Sequence, residues 1–141
     1  MEKERPKKKI LIVDDEMDMK IFLSTLFETK GYEPVVSKDG KEGLDKARAV
    51  MPDLIILDVM MPGEGGVLMY KKLKSDERLR QIPVIILSAV PRKTYQHYLK
   101  LLHVKTGAAP EIDAYFEKPP DAEALINHIE TMIHSNRKGV L

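Results

Sequence analysis

The chain has 141 residues, of which 43% are hydrophobic and 32% charged, and its formal net charge is +1. This size and composition are typical of a globular domain, and the near-neutral charge gives no reason to expect direct nucleic-acid binding. The lack of cysteine excludes disulfides and thiolate metal sites, and no apolar run reaches the roughly 18 residues that a membrane span needs. We therefore expect a soluble, cytoplasmic protein that does not insert into a membrane.

The length leaves room for one domain only, which we place over residues 1–141. Its predicted core at 9–134 lies between a basic tail at 1–8, interpreted as a solvated lead-in to the first strand, and a second tail at 135–141. Since only 23 residues follow Lys118, we expect one more helix and no attached output domain. A stand-alone protein and a piece of a larger regulator both fit this layout.

Short apolar runs alternate with segments of helical periodicity along the chain. The runs are rich in β-branched residues, as buried parallel strands are, and their alternation with helices is typical of βα units. Strands are predicted at 10–13, 34–36, 54–57, 84–87 and 114–116. Helices are predicted at 17–30, 41–50, 67–74, 92–106 and 121–134. The sequence thus predicts an α/β fold with a parallel sheet.

The first helix is predicted from apolar residues at helical spacing, and Gly31 is a natural residue just past its end. These apolar residues are Met17, Ile21, Phe22, Leu26 and Phe27. After the third strand, Pro62 and three nearby glycines predict a loop before the next helix.

Polar residues with chemical potential follow four of the predicted strands. Asp14 and Asp15 follow the first strand, Asp58 the third and Ser88 the fourth, and Lys118 lies just past the fifth. Because the carboxyl ends of parallel strands meet at one edge of an open α/β sheet, we expect these side chains to converge there.

Carboxylates crowded at one edge repel one another unless a cation neutralises them. Mg²⁺ prefers one or two carboxylates and keeps room for waters and phosphate oxygens, which suits Asp15 and Asp58 with Asp14 nearby. An aspartate can also attack phosphorus and hold the group as an aspartyl phosphate. We assign that role to Asp58.

The remaining positions suit the binding of a phosphoryl group. Since phosphoryl transfer depends mainly on positioning and charge neutralisation, Mg²⁺, Lys118 and the Ser88 hydroxyl would each take one phosphoryl oxygen. Ala89 is small enough to leave access. Taken singly, each residue is better explained as a helix cap, a turn residue or an exposed charge, so the prediction depends on their joint placement.

Four ordered motifs resemble the receiver domains of two-component response regulators over almost the full length. The matching stretches are ILIVDDE at 10–16, PDLIILDVMMP at 52–62, PVIILSA at 83–89 and DAYFEKP at 113–119. The resemblance implies a flavodoxin-like, doubly wound (βα)5 fold with five parallel strands in the order 2-1-3-4-5. It also implies a signalling domain that accepts a phosphoryl group from the phosphohistidine of a histidine kinase or phosphotransfer protein.

The resemblance further implies a ligand set and a backbone feature. Magnesium would be bound by Asp15, Asp58 and the backbone carbonyl of Met60, with Asp14 assisting. Asp58 would be the phosphoacceptor, and the Lys-Pro peptide after the fifth strand is often cis in the family.

A switch is implied at the same edge. New charge on Asp58 would draw the Ser88 hydroxyl inward and vacate space into which the ring of Tyr115 turns, a local event with a surface readout. The alternative is that Tyr115 is only a core aromatic residue.

The predicted fourth helix and the loop after it extend the chain by roughly two helical turns relative to the usual receiver. An apolar stripe in this helix can dock on the sheet, which leaves Leu101 and Val104 as a candidate partner surface. The alternative is that the loop at 107–110 folds back over them. Receivers commonly dock a downstream target or dimerise on the face formed by the fourth helix, fifth strand and fifth helix.

Three other functions are weighed against this interpretation. Haloacid dehalogenase-like phosphatases carry a second aspartate where this chain has Met60, so turnover of an external phosphate ester is not expected. Met60 and Val90 also offer no group to orient a hydrolytic water, which predicts a long-lived phosphoryl group. A dinucleotide-binding domain is excluded because the first strand leads into an acidic turn rather than a glycine-rich one. A binding module that signals without phosphorylation is the remaining alternative.

Overall fold

The computed structural model describes residues 6–61, 66–94, 96–97 and 114–138. Of these, residues 135–138 are described by their backbone only. Its five strands are β1 Lys9–Val13, β2 Glu33–Ser37, β3 Leu54–Leu57, β4 Val84–Ser88 and β5 Ala114–Glu117. They form one parallel sheet in the order β2-β1-β3-β4-β5. The predicted flavodoxin-like topology is therefore confirmed.

In the described part of the chain, four helices with defined bounds connect or follow the strands. They are α1 Met17–Thr29, α2 Gly40–Val50, α3 Gly66–Ser75 and the C-terminal helix Ala122–Lys138. The C-terminal helix continues past residue 134, where its end was predicted. Residues 92–94 and 96–97 are helical, while the rest of the predicted fourth helix and its loop, with Leu101 and Val104, lie outside the described residues.

The sheet separates two apolar layers, because successive side chains of a strand point to opposite faces. Leu11 and Val13 of β1 belong to the layer that α2 and α3 cover. Ile10 and Ile12 belong to the layer that α1 and the C-terminal helix cover. Every residue of β3 and β4 is buried, which explains why their sequences are continuous apolar runs rather than alternating ones.

Helix α1 buries a narrower face than its sequence predicted. Leu23 and Phe27, one turn apart, are fully buried against the sheet. Met17, Ile21 and Phe22 are instead 65%, 56% and 42% exposed. A helix that packs on a sheet buries one side only, and its apolar residues here span a wider arc than that side. The helix thus presents an apolar surface to solvent.

Helix α3 begins in close contact with the end of β3. A Cβ atom on Gly66 would lie 2.1 Å from the carbonyl oxygen of Asp58 and 2.5 Å from the Cα of Val59. Backbone atoms cannot give way to such an overlap, so only glycine allows this approach. The start of α3 therefore lies directly against the backbone of Asp58 and Val59. In the part of the chain that is described, no helix is long and apolar enough to cross a bilayer.

Candidate functional site

The strand ends bring the predicted residues to one edge of the sheet. β1 and β3 are neighbours with Val13 paired to Leu57, so Asp14 and Asp58, which directly follow them, lie side by side. Their side chains are almost completely buried, with 3% and 5% of each exposed. Two buried carboxylates on neighbouring strand ends need a counter-charge.

Lys118 supplies that counter-charge. Its Nζ lies 2.8 Å from Asp14 Oδ2, 3.1 Å from Asp58 Oδ2 and 2.6 Å from Glu16 Oε1. The lysine side chain is itself only 8% exposed. One ammonium thus neutralises part of the charge of three carboxylates, and the cluster retains a net negative charge when all are ionised.

Backbone N–H groups hold the second oxygen of each buried aspartate. Asp14 Oδ1 accepts a hydrogen bond of 2.8 Å from the amide of Glu16, and Asp58 Oδ1 accepts one of 2.9 Å from the amide of Met60. Each carboxylate therefore has one oxygen fixed by the loop that follows it and one turned toward Lys118. This arrangement orients both groups in the same way and leaves little rotational freedom to either.

Burial and charge shift the titration of this cluster in definite directions. Burial raises the pKa of Asp58, and the nearby Asp14 charge adds to this, while the Met60 amide and Lys118 oppose it. Burial alone would lower the pKa of Lys118, but its hydrogen bonds with Asp14 and Glu16 outweigh this and hold the pKa well above its ordinary value. The lysine is charged at neutral pH, and the fold disfavours ionised Asp58.

The loop after β4 is tied to β5. Ser88, fully buried, accepts a 3.2 Å hydrogen bond at Oγ from the amide of Val90, and its carbonyl accepts one of 2.8 Å from the amide of Lys118. The Tyr115 hydroxyl donates to the carbonyl of Val90, and its ring is buried. Burial, as the largest influence, raises the pKa of that hydroxyl.

A third contact joins the same two segments. The amide of Arg92, where the chain turns helical, donates a 2.9 Å hydrogen bond to Glu117 Oε1. Ala89, between the buried Ser88 and this helical segment, is exposed. The Lys118–Pro119 peptide bond is cis, as the resemblance implied.

The structure thus brings together Asp14, Asp58 and Lys118 as predicted, but adds one residue that the sequence reasoning did not single out. Oxygen atoms of Asp14, Glu16 and Asp58 lie within 4.8 Å of one another. Asp15 is exposed and is not in this group. The signal for Glu16 was its position in the same loop, one residue past the aspartate pair.

A concave region away from this edge has a different character. A cavity of about 630 Å³ lies between α2 and α3. Its lining is mostly charged side chains, among them the exposed Lys41, Arg48 and Lys72. The buried polar side chains Asp14, Asp58 and Ser88 do not line it, so the sheet edge remains the candidate site.

Comparison with known proteins decides the family. The model of the response regulator receiver domain matches residues 10–130. This chain belongs to that family. It is 34% identical over 128 residues to the polar-differentiation response regulator DivK of Brucella anthropi. The aligned region covers 91% of this chain and 97% of that protein.

Solved receiver domains share the fold. The receiver domain of the Francisella response regulator 1452 is 31% identical, with a TM-score of 0.74 over 92% of this chain and 98% of the other. The Vibrio cholerae chemotaxis protein CheY4 is 24% identical, with a TM-score of 0.76 over 90% and 99%. The predicted family, fold and signalling function of this receiver domain are confirmed. The roles of its individual site residues stay predictions.

We expect Asp58→Asn to stabilise the unphosphorylated receiver domain at neutral pH, by about 1 kcal/mol. The raised pKa of Asp58 means that the folded state holds this proton to higher pH than the unfolded state does. The contribution of this carboxyl to stability is therefore lost as pH rises through the folded pKa, and the advantage of asparagine grows over the same window.

Urea unfolding of both proteins from pH 3 to pH 8 measures this difference. The free energies of unfolding of the two proteins should become equal below pH 3.8, which is the ordinary pKa of aspartate. Asp15→Asn removes the same charge from an exposed residue in the loop after β1 and should change stability less. A difference between Asp58→Asn and wild type that does not vary with pH would contradict the assignment of its cause to ionisation.

Proposed function

We propose that Asp58 is the phosphoacceptor of this receiver domain. The observation that carries the proposal is the contact of its Oδ2 with the ammonium of Lys118, 3.1 Å away, beside the second buried carboxylate of Asp14. A carboxylate oxygen of Asp58 would attack the phosphorus of a phosphohistidine on a kinase or phosphotransfer protein. The new P–O bond forms as the P–N bond breaks, and the departing imidazole nitrogen takes up a proton.

Three neighbouring groups would bind the transferred group. Lys118 would pair with one phosphoryl oxygen and the Ser88 hydroxyl would donate to another, while exposed Ala89 leaves the approach open. The 2.8 Å hydrogen bond from the amide of Lys118 to the carbonyl of Ser88 supports this joint role, because it fixes the backbones of the two residues to each other.

We propose Mg²⁺ as the cofactor, bound by Asp14, Asp15, Asp58 and the backbone carbonyl of Met60. The donor set fits a hard cation, since the carboxylate oxygens of Asp14, Glu16 and Asp58 already lie within 4.8 Å of one another and carry more negative charge than Lys118 neutralises. When bound, the ion would neutralise charge on the phosphoryl oxygens. Asp15 would have to turn toward this group from its exposed position.

The proposed switch couples Asp58 to β5 through Ser88 and Tyr115. The Tyr115 ring is already buried, and its hydroxyl donates to the carbonyl of Val90, two residues past Ser88. A Ser88 hydroxyl drawn toward a phosphoryl group would have to leave its contact with the Val90 amide. That loss would change the loop which Tyr115 contacts, so the ring would respond from a buried position rather than by entering one.

We further propose that the domain does not act as an enzyme on external substrates and loses its own phosphoryl group slowly. Met60 is 63% exposed and Val90 is half-buried, so both can flank the approach of water to Asp58. Neither side chain can accept a proton from that water. The partner surface at Leu101 and Val104 and the cytoplasmic location stay predictions of the sequence.

Exposed apolar residues on α1 support a docking surface for the phosphodonor protein. Met17 directly follows Glu16, which contacts Lys118, so the surface formed by Met17, Ile21 and Phe22 begins at the rim of the site. A phosphohistidine must come within bonding distance of buried Asp58, which requires its protein to lie on that rim. Exposed apolar side chains there would stabilise the complex.

The decisive experiment is intact-mass spectrometry after incubation with acetyl phosphate and Mg²⁺. Wild type should gain a single adduct of about 80 Da through an aspartyl phosphate, with acetate as the leaving group. The adduct should need Mg²⁺ and be lost in Asp58→Asn, which keeps the size of the side chain. A wild-type protein that binds Mg²⁺ but gains no adduct would favour the phosphorylation-independent binding module instead.

The docking surface on α1 makes a separate prediction. Ile21→Glu should slow phosphoryl transfer from a phosphorylated histidine phosphotransfer domain by about tenfold, because it places a charge in the interface. Its phosphorylation by acetyl phosphate should be unchanged. Leu68→Glu, at an exposed apolar position on α3, is the matched control. Equal rates of protein-to-protein transfer for the two variants would rule out this surface.

Tyr115→Ala tests the proposed switch. Amide chemical shifts in wild type should change on phosphorylation from Asp58 through the segment at 88–92 to β5. In the variant the changes should stay near Asp58, because the ring and its hydrogen bond to Val90 are gone. Tyr115→Phe keeps the ring and removes the hydroxyl together with its hydrogen bond to Val90, so an intermediate spread is expected. The same spread in Tyr115→Ala as in wild type would assign the residue to core packing alone.

A further inference from the structure

Glu16 makes the shortest of the three contacts with the Lys118 ammonium, at 2.6 Å. It stands at the position just before α1, where a side chain often caps the helix, yet it makes no capping hydrogen bond. Its carboxylate is directed to the lysine instead. With 58% of its side chain exposed, it differs from the buried Asp14 and Asp58.

The ammonium has three N–H donors, and three carboxylates take them all. Until Asp58 attacks phosphorus it keeps its own charge, so binding of the incoming phosphoryl oxygen by Lys118 before that step requires one of the three carboxylates to leave. Asp14 and Asp58 are fixed by backbone amides and would be left buried without a counter-charge. Glu16 can exchange the lysine for water at small cost, because an exposed ion pair is weak.

We propose that Glu16 is a positioning residue that competes with the incoming phosphoryl group for Lys118 and so slows phosphorylation of Asp58. The inference rests on the proposed phosphoacceptor function and adds a residue that limits its rate. A glutamate here keeps the lysine charge-paired in the unphosphorylated protein and must be displaced before the lysine can pair with the new group. Removing its charge should therefore speed the reaction.

The test measures the rate of adduct formation with acetyl phosphate and Mg²⁺ in Glu16→Gln. In this reaction an Asp58 oxygen attacks phosphorus as the bond to acetate breaks. The rate should rise about two- to fivefold, the range set by loss of one surface ion pair. Asp18→Asn is the matched control, since it removes one negative charge from the first turn of α1 and is not among the described partners of Lys118.

Equal increases in the rate of adduct formation for Glu16→Gln and Asp18→Asn would indicate a general effect of charge on the anionic donor and would overturn the proposal. The double variant Glu16→Gln/Lys118→Ala separates the two causes further, because without the lysine the gain should vanish relative to Lys118→Ala. Persistence of the gain would also overturn it. If Lys118→Ala does not fold, the comparison of Glu16→Gln with Asp18→Asn decides alone. Wild type without any adduct would overturn the phosphoacceptor function itself, whereas a normal wild-type rate with an unchanged Glu16→Gln rate overturns only this inference.

Discussion

The site depends on one buried ammonium shared by carboxylates from two strand ends. Asp14 follows β1 and Asp58 follows β3, and both side chains are almost fully removed from water. Neither could stay ionised there alone, because an isolated buried charge costs several kcal/mol. Lys118 reaches them from the end of β5, two strands away from β3. The parallel sheet therefore does more than provide packing. It brings the ends of β1, β3 and β5 to one edge, where a single lysine can contact both aspartates.

The charges of this cluster are only partly balanced. Three carboxylates facing one ammonium leave negative charge uncompensated, and the raised pKa of Asp58 reflects the cost of keeping it ionised. A further cation would reduce this cost, whereas a phosphoryl group without one would increase it. Sites that bind charged ligands commonly sacrifice stability in this way. The proposed need for a metal ion in phosphorylation would follow from the charges of these side chains.

Sequence reasoning succeeded where a pattern has one structural solution. The continuous apolar runs of β3 and β4 favour strands buried on both faces, and the residues at the ends of such strands reach one edge, which placed Asp58 and Ser88. It did not find Glu16, because the direction of an exposed side chain depends on a partner 102 residues away. It also grouped Ile21 with Phe27 as apolar residues of α1 and did not single out the buried Leu23, because only packing decides which arc of a helix faces the sheet. The exposed position of Asp15 shows the same limit, since two adjacent aspartates look equivalent in sequence.

The proposed transmission from the site to the surface would act through the contacts between β5 and the segment after β4. The amide of Lys118 donates to the carbonyl of Ser88, the Tyr115 hydroxyl donates to Val90, and Glu117 accepts from the amide of Arg92. These contacts connect Tyr115 and Glu117 of β5, and Lys118 just after it, to the segment at 88–92. In the proposed switch, a movement of Ser88 or Lys118 toward a phosphoryl group would therefore disturb the other two contacts. The helical segment that begins at Arg92 would receive that change next, because its first amide donates to Glu117, the residue next to the lysine.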